Sequence, residues 1–379
     1  MLVTLGPDQE VLHDTTSRFL DEQMPVSTVR TFRDDPAGFD PKYWMRGAEL
    51  GWTALLVGED AGGGSVSGNP LQDLSLIAYE FGTHAAPGPL VPANVVASAL
   101  DVAGDAHAEA VGAIISGEAI ATWCLSEPAP GDRLDDVSLT IEADGDDLVV
   151  DGIKRPVEAG AQADYLLVTG RTGDGLSQVL VPASTAGVMI TPLESVDLTR
   201  RFAAVRFDGV RVPRSALVGE LGAAGEQVRR QRNIAIVLHM AESTGAMQRA
   251  FDMTRAWVAD RYSFGRSLDS YQEIKHRMAD LLSWLHACHG ISDAAVAAID
   301  RGDPVADEYV SAAKSYVGEY SVELLQDCVQ LHGGIGVTYE HDLHLYLRRV
   351  TANRAVYGTP LEHRRRLGAL TIAREAATA

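Results

Sequence analysis

Apolar positions recur at helical spacing near the start of the chain, at strand spacing in the middle, and at helical spacing again towards the end. Residues 7–22 place Val11, Leu12, Phe19 and Leu20 on one helical stripe, and residues 40–50 repeat the pattern. The run 71–82 (LQDLSLIAYEFG) predicts a third helix, capped by Gly82. Glycines at 58 and 62–64 mark a loop before it. From about Ala119 the runs ATWCLSE, VSLTIEADGDDLVVDG, ADYLLVTG, SQVLVPA and GVMITPL are short and rich in β-branched residues. Turn clusters at 143–146 and 172–175 separate them, and FAAVRFDGVRVP supplies the last strands. This spacing fits an antiparallel barrel or sandwich. After Gly225 the helical period returns, with breaks at 263–270, 290–291, 301–304 and 333–341. There is no internal repeat. A chain of 379 residues exceeds the size of one hydrophobic core, so three units are expected, over 1–118, 119–226 and 227–379.

Composition is ordinary for a globular protein, with 46% apolar and 22% charged residues. The net charge of -20 disfavours nucleic acid or an anionic membrane as partners, and any anionic ligand needs a local concentration of positive charge. Cys124, Cys288 and Cys328 match no metal or redox spacing and are expected to be reduced thiols. No stretch resembles a signal peptide or a membrane span, so a cytoplasmic location is expected.

Three stretches carry candidate chemistry. In 123–133 (WCLSEPAPGDR) a strand ends in Ser-Glu-Pro at a sheet rim, exposing a hydroxyl and N–H groups able to bond a flat heterocycle. In 261–272 (RYSFGRSLDSYQ) Arg261 closes one helix, Phe264-Gly265 turns the chain and Gln272 opens the next, an arrangement suited to a pyrophosphate. In 330–336 (QLHGGIG) three glycines let a ligand approach the backbone, without the preceding strand that a dinucleotide fingerprint requires. Taken singly, each also reads as an ordinary turn.

Together, in this order and at these separations, they resemble the signatures of the acyl-CoA dehydrogenases over nearly the whole chain. The two later stretches, RYSFGRSLDSYQEIKHRMADLL and QLHGGIGVTYEHDLHLYLRR, are the specific ones. The resemblance implies an α+β multidomain fold: an N-terminal α-helical domain, a central antiparallel β-barrel and a C-terminal four-helix bundle. It implies FAD as cofactor, an acyl-CoA substrate, electron-transfer flavoprotein as electron acceptor, and at least a dimer. Carried over by position, Trp123, Leu125 and Ser126 line the flavin ring, and Gly358 and Thr359 lie beside the flavin phosphates. Arg261, Ser263, Phe264 and Gln272 hold the pyrophosphate of FAD in a neighbouring subunit, with Gln330, Gly333 and Gly334 along its adenosine end.

The chain departs from the family at the chemistry. The usual catalytic glutamate before the Gly-Thr pair is replaced by Tyr357, and a phenol with pKa near ~10 is a poor base. The alternative base position on the long helix holds Ala235. Glu242, two turns further on, is the remaining candidate base; its alternative is a packing glutamate paired with an arginine such as Arg249. The signature glycine is followed by Asp132-Arg133, the flavin-side Trp-x-Thr reads Pro156-Val157-Glu158, and the CoA-side Asp and Arg are absent from Asn233-Ile234-Ala235-Ile236. Three readings follow: a dehydrogenase using Glu242; the flavin-supporting subunit of a heteromeric dehydrogenase, as in actinobacterial steroid side-chain degradation, homo-oligomer giving way to heterotetramer; or a flavoprotein of the same fold acting on a non-CoA or biosynthetic substrate.

Overall fold

The computed structural model describes residues 4–128 and 133–378, so Gly131 and Asp132 of the first signature lie outside the described residues. Helices α1 (Pro7–Gln23), α2 (Val26–Thr31), α3 (Pro41–Glu49), α4 (Pro70–His84), α5 (Leu90–Val102) and α6 (Ala108–Ile115) precede the sheet. Proline opens α1, α3 and α4, where its missing N–H is no loss. Helix α5 is buried on every side from Leu90 to Leu100, so its sequence carries no polar face to give a period.

The strands are β1 (Ala121–Cys124), β2 (Thr140–Asp144), β3 (Asp147–Glu158), β4 (Tyr165–Thr172), β5 (Gly175–Pro182), β6 (Val188–Leu193), β7 (Phe202–Pro213) and β8 (Leu217–Val218). They form one sheet in the order β6-β7-β3-β2-β4-β5-β8, with β1 added beside β4. The sheet is mixed, where antiparallel pairing alone is expected from sequence. β1 enters from the helical region and runs parallel to β4, Ala121 opposite Tyr165, and β2 meets β4 in parallel at Thr140 and Arg171. FAAVRFDGVRVP forms one continuous strand, β7. Leu139, Ile141, Val168, Val179, Val205 and Phe207 build a core shared by the strands themselves. A separate, larger core joins the helices before and after the sheet.

Helix α7 (Gly225–Asp260) follows, then a small hairpin of β9 (Tyr262–Ser263) and β10 (Arg266–Ser267), and helices α8 (Gln272–Asp300), α9 (Ala306–His332), α10 (Leu343–Ala355) and α11 (Pro360–Thr378). Helix α8 runs unbroken through residues 290–291, where the sequence predicts an interruption. A single helical glycine costs only ~1 kcal/mol, less than the burial of Leu281, Leu285, Cys288, Ala295 and Val296 on the same helix supplies.

Gly82 does not cap α4. The helix continues to His84 and closes on Ala85 at φ 49. Gly82 instead marks where α4 crosses α7: a methyl group there would lie 1.9 Å from the Glu242 carbonyl oxygen. Gly245 of α7 makes the reciprocal approach, 2.0 Å from the Tyr79 carbonyl oxygen. Backbone presses on backbone at both points, and neither can yield. Gly82→Ala and Gly245→Ala are each expected to lower unfolding free energy by about 2 kcal/mol or more in urea titrations. Gly112→Ala, in α6 where an added Cβ would meet nothing within 4 Å, is expected to raise it by about 0.5–1 kcal/mol.

Candidate functional site

The two specific signatures meet on one outward face. Arg261 caps the end of α7, exposed, with its guanidinium 5.8 Å from the Trp257 ring. Trp257 stacks on His332 at 5.3 Å, and His332 is held by the Cys328 carbonyl at 2.8 Å. The next residue, Gly333, sits at φ 63, and its N–H donates to the Gln330 carbonyl. Gln330, Gly333 and Gly334 are exposed, and nothing lies within 4 Å of a Cβ placed on either glycine. Packing of Trp257 on His332 thus brings Arg261 beside the glycine loop.

The β9–β10 hairpin stands on the same face. Ser263 pairs with Arg266, leaving Phe264 and Gly265 as a two-residue turn with φ of 50 and 82. Such turns ordinarily take Asn-Gly, because both residues need positive φ. A phenylalanine there is strained, and its ring is 98% exposed. The Ser263 carbonyl accepts from the Tyr271 hydroxyl at 2.8 Å, and Arg266 lies 3.7 Å over the Tyr271 ring. Gln272 opens α8 beside it, exposed.

The interior differs in character. Trp123 is buried in β1, its Nε1 donating to Thr169 Oγ1 at 2.9 Å, and Leu125 is buried beside it. The half-buried Ser126 accepts the Arg155 N–H on its carbonyl at 2.7 Å. The Tyr357 ring stacks on Trp123 at 5.8 Å and on His239 of α7 at 5.8 Å, filling the space between sheet and helices. Tyr357 has φ 56 and Gly358 φ 99, so the link between α10 and α11 turns sharply to place this ring inward. Lys314 of α9, fully buried, donates to the Asn353 and Val356 carbonyls and closes the end of α10.

Next to this stack lies a buried cluster of charge. Glu242 is bonded by Arg200 on one oxygen and Arg349 on the other, and Asn353 Nδ2 adds a third bond at 3.1 Å. The sequence alternative of Arg249 as partner is therefore replaced: Arg249 lines a separate cavity with Gln248 and Asp252. Arg349 also donates to Asp197 at 2.6 Å and to the Ala86 carbonyl at 3.0 Å, satisfying the chain just beyond the end of α4. Arg200 reaches Asn353 Oδ1 at 2.6 Å and Glu158 at 3.3 Å.

Burial alone would raise the Glu242 carboxyl, but Arg200 and Arg349 outweigh it and hold the group far below the usual carboxylate range. A carboxylate so held is a poor proton acceptor. Burial raises Glu158, with Arg200 opposing, and a proton on Glu158 would balance two guanidiniums against the two remaining carboxylates. Burial, then Arg200, lowers His239 to about 3, so it is neutral.

Thr359, Pro360 and Glu362 form a capping box. The Glu362 carboxylate accepts both the N–H and the hydroxyl of Thr359 at 2.7 Å, and proline occupies the first helical position. The Thr-x-x-Glu spacing is visible in the sequence. The role of Arg200 and Arg349 is not, because each meets Glu242 from more than forty residues away. Tyr357 stands between Trp123 and His239, where the resemblance places the flavin ring, and Thr359 is already engaged by Glu362, so these residues do not fit a flavin in the chain's own chamber. The outward face presents Arg261 and open glycine backbone to solvent.

Helices, a central mixed sheet and a second set of helices in this order constitute the acyl-CoA dehydrogenase fold. The family profile described as "Acyl-CoA dehydrogenase, C-terminal domain" matches residues 227–369. The chain is 28% identical to the mitochondrial isobutyryl-CoA dehydrogenase of Dictyostelium discoideum over 94% of its own length and 87% of that protein's. It is 27% identical to acyl-CoA dehydrogenase IpdE2 of Mycolicibacterium smegmatis, covering 96% and 99%. The solved structure of a Tcur3481-Tcur3483 steroid ACAD variant superposes with a TM-score of 0.88 at 26% identity, covering 99% and 100%. The C-terminal part of the chain thus matches the acyl-CoA dehydrogenase family model, and the whole chain is similar in sequence and fold to acyl-CoA dehydrogenases.

The charge cluster makes two expectations. Glu242→Gln leaves two buried guanidiniums short of a counter-charge and should cost about 3–5 kcal/mol in denaturant unfolding. Burial also depresses His289 to about 3 and His363 to about 4. With His239, these groups bind protons more readily unfolded, so the stability they lend is full above about pH 6.5 and lost as pH falls towards 4. His13, whose pKa is raised chiefly by its bond to Glu80, acts in the opposite sense. A thermal midpoint that did not fall between pH 7 and 5 would contradict this balance.

Proposed function

We propose that this chain is the flavin-supporting subunit of a heteromeric FAD-dependent acyl-CoA dehydrogenase. The observation that carries the proposal is the opposition of two faces: the FAD-tail residues stand outward and open, while the chamber is closed. Arg261, Ser263, Phe264 and Gln272 would hold the pyrophosphate of an FAD seated in a sister subunit, with Gln330, Gly333 and Gly334 at its adenosine end. Exposed guanidinium and bare glycine backbone suit such an anion. When bound, the flavin supplies the hydride acceptor for α,β-dehydrogenation of the thioester. The sister subunit would supply the base and the acyl pocket, and electron-transfer flavoprotein would take the electrons.

The reading in which Glu242 is the base of a self-sufficient enzyme is opposed by its two arginine partners. Similarity to a two-component steroid dehydrogenase supports a heteromeric arrangement and a role in lipid or steroid side-chain catabolism. A biosynthetic or non-CoA substrate is the alternative, favoured only by the absence of the CoA-side Asp and Arg from Asn233-Ile234-Ala235-Ile236.

The test is flavin quantitation and acyl-CoA turnover for the chain alone and for the chain co-expressed with candidate sister subunits. The isolated chain should be flavin-poor and inactive, and the complex yellow and active. Arg261→Ala should lower flavin retained by the complex about tenfold, one charge-assisted contact being worth about 1.5–3 kcal/mol. Stoichiometric FAD and robust turnover by the isolated chain, abolished in Glu242→Gln, would defeat the proposal.

A further inference from the structure

Across the interface of α1 with α4, two histidine–carboxylate contacts run in opposite senses. His13 of α1 places Nε2 2.8 Å from Glu80 Oε1 of α4, and His84 of α4 places Nε2 3.1 Å from Asp21 Oδ1 of α1. His84 Nδ1 also lies 3.5 Å from Glu80 Oε2, so the buried Glu80 carboxylate stands between two imidazoles. A buried carboxylate is costly unless charge and hydrogen bonds meet it. These groups wall a cavity of about 500 Å³, whose other walls include Arg249 and Asp252 of α7 and Tyr346 of α10.

The two histidines are not equivalent. The Thr83 hydroxyl lies 2.8 Å from His84 Nδ1 and can donate to it, so a neutral His84 keeps a partner on each nitrogen. His13 instead has carboxylate oxygens on both sides, Glu80 at Nε2 and Asp14 at 3.3 Å from Nδ1. Two acceptors on one ring are both served only when each nitrogen carries a proton, that is, by the imidazolium. Around the pair, Asp21 and Asp252 favour that charge and Arg249 opposes it. Tyr79, its ring 6.3 Å from His13, and Tyr346 are pushed up by burial and stay neutral. His289 of α8, which packs on Tyr79, is held neutral by burial. Other contacts of α1, Gln9 with Asp73 and Thr16 with the Trp52 indole, involve no histidine.

We propose that His13 is a proton-operated clasp of α1 on α4, closed while its imidazole is charged and loosened when it is neutral. The bond to Glu80 holds His13 above its ordinary value of 6.5, against the opposing effect of burial. Burial would raise Glu80, and the bond and charge of His13 outweigh it. The stabilisation of α1 by this pair is therefore complete below about pH 6.5 and lost as pH rises through the raised value. His84 is followed directly by Ala85 and Ala86, whose carbonyls accept from Arg349, so the clasp sits at the end of the helix on which the Glu242 cluster rests. It uses none of the residues assigned to a flavin tail and is independent of the proposed subunit role.

The test is trypsin cleavage after Arg18, an exposed residue of α1, in the purified full chain at about pH 6 and about pH 8.5, each rate divided by that of His13→Gln at the same pH. Cleavage within a helix follows the population of its opened form, and the ratio removes the protease's own pH dependence. Wild type should be cleaved about threefold to tenfold more slowly than His13→Gln at the lower pH, and at the same rate at the higher. His13→Lys, charged at both, should stay protected at both. Circular dichroism verifies that each variant is folded. Nuclear magnetic resonance titration of the imidazole should place His13 above its ordinary value in wild type and lower it in Glu80→Gln. Equal ratios at the two pH values in folded proteins would overturn the proposal. So would loss of protection in His13→Lys at the lower pH, or a His13 titration at or below the ordinary value.

Discussion

The salt-bridged Glu242 is the interaction on which this structure turns. Arg200 comes from the connection before β7, Arg349 from α10, and Glu242 from the middle of α7, so one carboxylate ties sheet, bundle and long helix together. Removing ions from water costs several kcal/mol each, and such a group persists only when every oxygen and N–H is met. Here Asp197, Thr199, Asn353 and the carbonyls after α4 complete the set. The same completeness that makes Glu242 a structural hub deprives it of chemistry. The position of the hub is fixed in turn by the glycine crossing, where Gly82 rests against the Glu242 backbone.

A closed chamber and an open face are two consequences of one arrangement. Tyr357 points inward because Val356 and Asn353 are anchored to Lys314 and because Gly358 permits the turn that follows. Its ring then completes a stack from Trp123 to His239 that leaves sheet and bundle in contact. On the other side, α7 and α9 end beside each other through Trp257 and His332, and Arg261, Phe264, Gly333 and Gly334 just past those ends face solvent. The two faces thus differ in kind: one is packed with ring and charge, the other exposes Arg261, Phe264 and bare glycine backbone.

Much of this was legible in the sequence where the signal was local. Period separated the strands from the helices, Arg-x-x-Phe-Gly and Gly-Gly-x-Gly stood out at their spacing, and Tyr357 was visibly wrong for a base. Signals that depended on tertiary contact were not legible. Gly82 read as a helix cap because a glycine after an apolar run ordinarily is one; only the approach of α7 reveals its use. Gly290 read as a break because propensity is weaker than the packing around it. β1 read as part of an antiparallel barrel or sandwich because parallel pairing to a strand over forty residues later leaves no mark on either segment. Glu242 could be nominated, but its partners at 200 and 349 could be found only by folding the chain.

Phe264 carries a consequence for the life of the molecule in a cell. A side chain held in a left-handed turn and left in water raises the free energy of the folded chain, and Val337, 77% exposed, and Tyr262, 67% exposed, add further apolar surface in water. Any component that covered these groups would bind the folded state alone, and the folded fraction would become a function of that component's concentration. Covering them would then bear on folding as much as on activity, and an uncovered copy is the one that quality control would meet first.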